Sequence, residues 1–329
     1  MDYNDIFLNC LNVEESKLGF LEKRFTERQI QYYSPLNKAV MDRILSTSGV
    51  CMSFITKSRE ISFDFAVESF PRPFVCFDIW ENDAYTLPAR FDDYTRNGTV
   101  SYLRRRKEES KITVYLPCTC ETYISDINIG AYKPAVKHEK KLLVIGDSIA
   151  QGMNGIYPSF NPMTVLANHF SNNLLNQSYG GGYFNADGFD EDLDYEPDLI
   201  VFALGTNDMD LFPAGQIYSN ADLHIKKVRR RYPAAKTIII TPLWRYELDS
   251  DPSYFNIYKD AVSAIEKASL ENGCITVYGS ALIAHSETFF GPGDVHPNDL
   301  GFAQYALNLV KTLYAFGKSK PDYAKTMYP

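Results

Sequence analysis

Two hydrophobic rhythms divide the chain. Between about residues 49 and 129 the apolar positions come in short runs rich in β-branched and aromatic side chains, over 49–56, 61–67, 74–80, 99–103, 112–116 and 123–129. Glu60 stands at the margin of the second run and can belong to it. Turn formers separate the runs: Pro71, Pro73, Asn82-Asp83 and Asn97-Gly98. Short strands at this spacing predict a β-sandwich. Cys118 and Cys120 flank Thr119 in a stretch that reads as strand, which would put both thiols on one face. The first forty residues show no clear period, although Ser34-Pro35 ahead of 36–45 reads as a capped helix.

Beyond residue 141 the pattern changes. Runs at 142–145, 174–176, 199–204, 237–241 and 275–278 are apolar without alternation, as strands covered on both faces are. Helical stretches lie between them, one capped by Asn161-Pro162 and others over 217–232, 254–272 and 298–316. Alternating strand and helix predicts a parallel sheet with helices on both faces. The polar, basic segment 133–141, which contains Pro134, separates the two patterns. The expected organisation is therefore a β-sandwich over 1–135 and an α/β domain over 136–329.

Composition adds exclusions. Of 329 residues, 45 % are hydrophobic and 22 % charged, enough apolar material for two cores, and the formal net charge of −8 argues against a nucleic-acid partner. The basic cluster Arg104-Arg105-Arg106-Lys107 runs straight into Glu108-Glu109 and reads as a solvated loop or strand edge. No apolar run approaches the roughly 20 residues that span a bilayer, so no membrane partner is expected. The first residues lack the basic-then-apolar pattern of a secretory signal, and the six cysteines have no framework spacing, so a cytoplasmic location is the expectation. There is no His-Glu-x-x-His, no clustered His/Cys set and no glycine-rich phosphate loop after the first parallel strand. Neither a metal nor a nucleotide cofactor is expected. Aromatic residues are abundant, 23 Tyr and 21 Phe, which suits strands and cores and also sugar stacking.

Candidate chemistry begins at Gly146-Asp147-Ser148-Ile149. A serine just past the carboxyl end of a buried parallel strand sits where open α/β sheets place their sites. Three further segments follow in order: Asn176-Gln177-Ser178-Tyr179-Gly180-Gly181, Gly205-Thr206-Asn207-Asp208 and Asp294-Val295-His296-Pro297. Of the five histidines, His138 lies in the linker, His169 and His224 in helical stretches, and His285 closely after the last strand; only His296 stands in such a block.

This series resembles the SGNH hydrolases, or GDSL-type esterases, firmly from about residue 141 to 316. The resemblance implies a flavodoxin-like parallel sheet, with Ser148 as nucleophile and His296 as its base. It implies an oxyanion hole made of the Ser148 and Gly181 backbone N–H groups and the Asn207 side-chain amide. Asp147 and Asp208 read as ties to the loops beneath. The family's acid stands three residues before the histidine, where this chain has Gly293; Asp294 is only two before. The third member is then either Asp294, if the loop 291–293 bends, or a backbone carbonyl.

A β-rich region ahead of such a domain is similar to two-domain carbohydrate esterases, in which a jelly-roll domain adjoins an SGNH domain that removes acetyl groups. That implies a small acetylated oligosaccharide as substrate. Trp244, after the fourth strand, would suit a sugar ring or plug the sheet end. Two other functions stay open: a lipase, thioesterase or lysophospholipase acting on longer acyl chains, and a non-catalytic sugar-binding relative. Oligomeric state does not follow from the sequence.

Overall fold

A computed structural model describes residues 3–318. Its first half is two antiparallel sheets. The strands are β1 Phe7–Leu8, β2 Asn12–Ser16, β3 Gly19–Lys23, β4 Cys51–Thr56, β5 Glu60–Ser69, β6 Cys76–Glu81, β7 Ala84–Arg90, β8 Asn97–Leu103, β9 Ser110–Tyr115, β10 Glu121–Asn128 and β11 Tyr132–Pro134. One sheet has the order β1-β4-β9-β6-β7, with β11 on the same edge of β4 as β1; the other has the order β2-β3-β10-β5-β8. Alternation explains the layering. In β5, Ile61, Phe63, Phe65 and Val67 point inward and the residues between them outward. They meet Met52, Phe54, Phe77, Ile79, Ile112 and Val114 from the facing sheet in one apolar core. Two short helices, α1 Glu27–Tyr33 and α2 Lys38–Ile44, lie between β3 and β4.

The second half is a parallel sheet of β12 Lys140–Gly146, β13 Asn172–Ser178, β14 Leu199–Ala203, β15 Lys236–Ile240 and β16 Ile275–Val277, in the order β13-β12-β14-β15-β16. This is the doubly wound order 2-1-3-4-5, which reverses direction at β12 and opens a crevice at its carboxyl end. Leu142, Leu143, Val144 and Ile145 are all buried, as expected of a strand with helices on both sides. The helices are α3 Ser148–Gln151, α4 Pro162–His169, α5 Asp208–Leu211, α6 Ala214–Arg231, α7 Glu247–Ser250, α8 Pro252–Glu271 and α9 Asp299–Lys318. α4 packs on α9, and α6 on α8. Among the described residues no helix is long and apolar enough to cross a membrane.

Several sequence expectations need correction. The segment 118–120 is a bend and not strand, because Pro117 lacks the N–H that would continue the ladder beyond Tyr115. Its thiols are buried and free. The helix expected over 36–45 starts at Lys38, with Asn37 as its cap, the Asn37 side chain accepting from Val40 N at 2.9 Å. Ser34 instead ends α1. Arg104 is not solvated. It is 1 % exposed, 3.2 Å from Glu81 Oε1, and donates to the Thr56 and Ser58 carbonyls, while Arg105 to Lys107 are exposed as expected.

The two halves are joined by another buried arginine. Arg24, at the end of β3, donates to the Ser46, Arg43 and Ile44 carbonyls and to the Asn176 and Ser178 carbonyls of β13. No ion pair to it is present among the described residues; backbone carbonyls and the Ser46 hydroxyl, which accepts from Nη2 at 3.0 Å, hold the charge. Replacing Arg24 with Met would strand several buried carbonyls, each at a cost of about 1–3 kcal/mol. The expected result is a loss of more than about 3 kcal/mol in urea unfolding followed by circular dichroism. A change within about 0.5 kcal/mol would show that the bridge contributes little.

Candidate active site

Three neighbouring strands deliver three of the candidate residues to one edge of the sheet. β12 ends at Gly146, aligned with Ser178 of β13 and Ala203 of β14. Asp147 then caps α3, its carboxylate accepting from Ile149 N at 2.9 Å, and places Ser148 as the first helical residue, 7 % exposed. After β13, Tyr179 N donates to Gly146 O at 3.1 Å and Gly182 N to Tyr179 O at 2.9 Å, closing a tight turn. Gly181 sits in that turn at φ +87°, a conformation that side chains disfavour. After β14, Asn207 Nδ2 donates to Gly182 O at 2.7 Å. Its second amide hydrogen is not used by that bond.

His296 arrives from the far end of the chain. The loop before α9 is closed by a bridge between Phe290 and Pro297, by Gly291 N to His296 O at 3.0 Å and by Asp294 N to Gly291 O at 3.0 Å. His296 Nε2 lies 2.8 Å from Ser148 Oγ. Gly293 adopts φ +65°, the loop bends, and Asp294 Oδ1 meets His296 Nδ1 directly, while also accepting from His296 N at 3.2 Å. An ionised carboxylate only accepts, so Nδ1 carries the proton and Nε2 is left to accept from the serine hydroxyl.

Two groups that sequence reasoning missed hold the carboxylate from its other side. Asn154 Nδ2 donates to Asp294 Oδ2 at 2.8 Å, and Arg72 Nη2 lies 3.5 Å from the same oxygen. Arg72 Nε donates in turn to Asn154 Oδ1 at 2.6 Å. Arg72 belongs to the β-sandwich, between β5 and β6. A local signal existed: it is the middle of Pro71-Arg72-Pro73, where two rings restrict the backbone and make a stiff arm.

Electrostatics follow from these contacts. Burial lowers the pKa of His296; Asp294 opposes that, and the Arg72 and Arg43 charges add to it, leaving a net shift below 6.5. Burial works to raise the pKa of Asp294, but the Asn154 hydrogen bond and His296 outweigh it, and the carboxyl stays below its ordinary value. Behind the site, burial pushes Asp147 and Asp208 up to about 7. Asp208 accepts from Phe184 N at 3.1 Å, tying down the loop after Gly182.

The remaining candidates lie elsewhere. Trp244 is 4 % exposed, stacked on His285 with ring centroids 5.2 Å apart, edge-on to Phe290, and bonded through Nε1 to Asp249. Its faces are taken up by protein. His224 is buried in α6 and accepts from Asn185 N at 3.1 Å; burial pulls it down to about 3. Among the described residues no group of three or more His, Cys, Asp or Glu is gathered as a metal site.

Residues 144–304 match the model of the GDSL-like Lipase/Acylhydrolase family. No curated protein matches the chain. Among solved structures, the salicylyl-acyltransferase SsfX3 from a tetracycline biosynthetic pathway superposes with a TM-score of 0.77 at 16 % identity, over 95 % of this chain and 94 % of that one. A Bacteroides ovatus protein provisionally assigned as a GDSL-like lipase gives 0.76 at 18 % identity, over 95 % and 96 %. A family two carbohydrate esterase from Clostridium thermocellum, in complex with cellohexaose, gives 0.61 at 17 % identity, over 83 % and 94 %. At these identities the likeness is one of fold.

The arginine contact has a measurable consequence. A nearby cation disfavours the imidazolium, so its removal raises the histidine pKa. In an NMR titration assigned with a His296→Gln control, His296 is expected to titrate below 6.5 in the wild type and at higher pH in Arg72→Gln. An unchanged or lower value in the variant would remove Arg72 from the electrostatics of the site.

Proposed function

We propose that this protein, whose residues 144–304 match the model of the GDSL-like Lipase/Acylhydrolase family, is a serine esterase that hydrolyses small acyl esters, acetyl esters of carbohydrates foremost. The observation that carries the proposal is the 2.8 Å approach of Ser148 Oγ to His296 Nε2 across 148 residues of sequence. In this reading Ser148 Oγ attacks the ester carbonyl carbon as its proton passes to Nε2. Asp294 stabilises the imidazolium that forms. The oxyanion takes the N–H groups of Ser148 and Gly181 and the free amide hydrogen of Asn207. The C–O bond to the alcohol then breaks as His296 returns the proton to the departing oxygen. Water, deprotonated by the same imidazole, hydrolyses the acyl-serine and releases the acid.

The carbohydrate part of the proposal draws on the fold likeness to carbohydrate esterases. So does the two-domain reading, with a division at 135/136 between the end of β11 and the start of β12. The strand orders β3-β10-β5-β8 and β4-β9-β6-β7 are those a jelly roll would have, which supports that description of the first domain. The contact of Asp294 with His296 supports the catalytic reading over that of a non-catalytic sugar-binding relative.

Hydrolysis of p-nitrophenyl acetate, butyrate and octanoate tests the reading. The acetate is expected to be the best substrate, Ser148→Ala to lose about 1000-fold or more, and Asn207→Ala about 100- to 1000-fold in kcat. Rates that rise with chain length would favour a lipase. Equal rates for wild type and Ser148→Ala would overturn catalysis by Ser148.

A further inference from the structure

One cation near the site forms no hydrogen bond or ion pair with Ser148, His296 or Asp294. Arg43, in α2, reaches across to the turn after β13, where its Nη1 donates to Gly180 O at 3.2 Å. A Cβ built on Gly181 would find only one atom within 4 Å, Arg43 Nη1 at 3.8 Å. The guanidinium therefore stands next to the glycine whose N–H is assigned to the oxyanion, and the space a side chain on Gly181 would take is otherwise open. We infer that Arg43 anchors an anion subsite, and that the ester this protein takes carries a carboxylate close to the scissile bond. That the ligand is an ester rests on the esterase reading; the subsite itself does not.

Three observations support the subsite. First, Arg43 lacks a counter-ion. No carboxylate lies within ion-pair distance of it among the described residues, and its neighbour Asp42 pairs with Lys38 at 2.7 Å. Its Nε is buried with no hydrogen-bond partner. A half-buried guanidinium whose side chain makes one hydrogen bond, to Gly180 O, is short of the partners that would offset its desolvation, and a ligand oxyanion can supply them at the terminal Nη groups. Burial and the charge of Arg72 push its pKa down, and Asp42, engaged with Lys38, only partly opposes them.

Second, the side chain is set on a fixed base. The Arg43 carbonyl accepts from Arg24 Nη2 at 3.0 Å and from Gln151 Nε2 at 3.0 Å, so the backbone is held whether or not a ligand is present. A positioned guanidinium loses less freedom on binding than a mobile one.

Third, the local charge runs against that of the chain. The protein carries −8 overall, yet the Arg43 and Arg72 charges both act on His296, and the one carboxylate in contact with that ring is Asp294. Asp147 and Asp208 lie behind and use their oxygens on the Ile149 and Phe184 backbone N–H groups. An anionic substrate meets net attraction where the ester must sit.

Two ester pairs test the inference and locate the carboxylate. 4-Acetoxybenzoate against its methyl ester places the charge on the leaving group; mono-p-nitrophenyl succinate against p-nitrophenyl butyrate places it on the acyl group. In wild type, kcat/KM is expected to favour the charged member of at least one pair. Arg43→Gln is expected to reduce that charged-to-neutral ratio about 10- to 100-fold, the change that loss of a hydrogen bond to a charged group gives. Arg43→Lys, which keeps a charge but not the fork, is expected to be intermediate. A thermal melt verifies that the variants fold.

Calorimetry with benzoate and benzamide on Ser148→Ala, with and without Arg43→Gln, reads the subsite without catalysis. Benzoate is expected to bind more tightly than benzamide, and only while Arg43 is present. If neutral esters are cleaved in a Ser148-dependent way but no charge preference depends on Arg43, the subsite is wrong and the esterase reading stands. If no ester is cleaved but Arg43 still governs benzoate binding, the esterase reading is wrong and the subsite stands.

Discussion

The carboxylate of Asp294 fixes the geometry on which the site depends. It meets the His296 ring N–H and backbone N–H on one oxygen, and Asn154 and Arg72 on the other. Those donors come from the sandwich, from the segment after α3 and from the last loop, so the carboxylate ties three distant parts of the chain together. With the imidazole held on its Nδ1 side, its Nε2 is directed at Ser148. A carboxylate so surrounded stays ionised, and an ionised carboxylate keeps the imidazole in the tautomer that can accept a proton. The loop reaches this arrangement because Gly293 takes a left-handed conformation, which lets an acid two residues before the histidine meet its ring directly.

The sandwich is therefore more than an appendage. It supplies Arg72 on a stiff Pro-Arg-Pro arm, Arg43 on the helix pair that follows β3, and Arg24 in the seam. All three act on elements of the parallel sheet domain: the acid, the turn after β13, and β13 itself. Their placement gives a locally cationic site in an acidic protein. It also links folding to chemistry, because the contact that closes the seam at Asn176 and Ser178 fixes the strand that carries Gly181 to its position.

How much of this the sequence reveals depends on the range of the interaction concerned. β12 is legible because burial on both faces demands an unbroken apolar run, and Ser148, Gly181 and Asn207 are legible because each follows a strand end in local sequence. β7 escapes notice because Pro88 interrupts it, which an edge strand tolerates. α1 carries a capping box, Thr26 with Gln29, that a search for that signal would have found. Arg104 looks like part of a solvated charge run, and only the three-dimensional meeting with Glu81 and two carbonyls takes it inside. Arg72 and Arg43 are the hardest to read. Each touches the site through a long side chain from a segment far away in sequence, and only Arg72, set between two prolines, has a local signal.

In the proposed mechanism Ser148 is made nucleophilic by His296. A phosphorylating probe tests it without any choice of ester. After incubation with diethyl p-nitrophenyl phosphate, intact mass and peptide mapping should find one diethylphosphoryl group, on Ser148, formed far more slowly in His296→Ala. Labelling at another residue, or at the same rate without the histidine, would contradict the account.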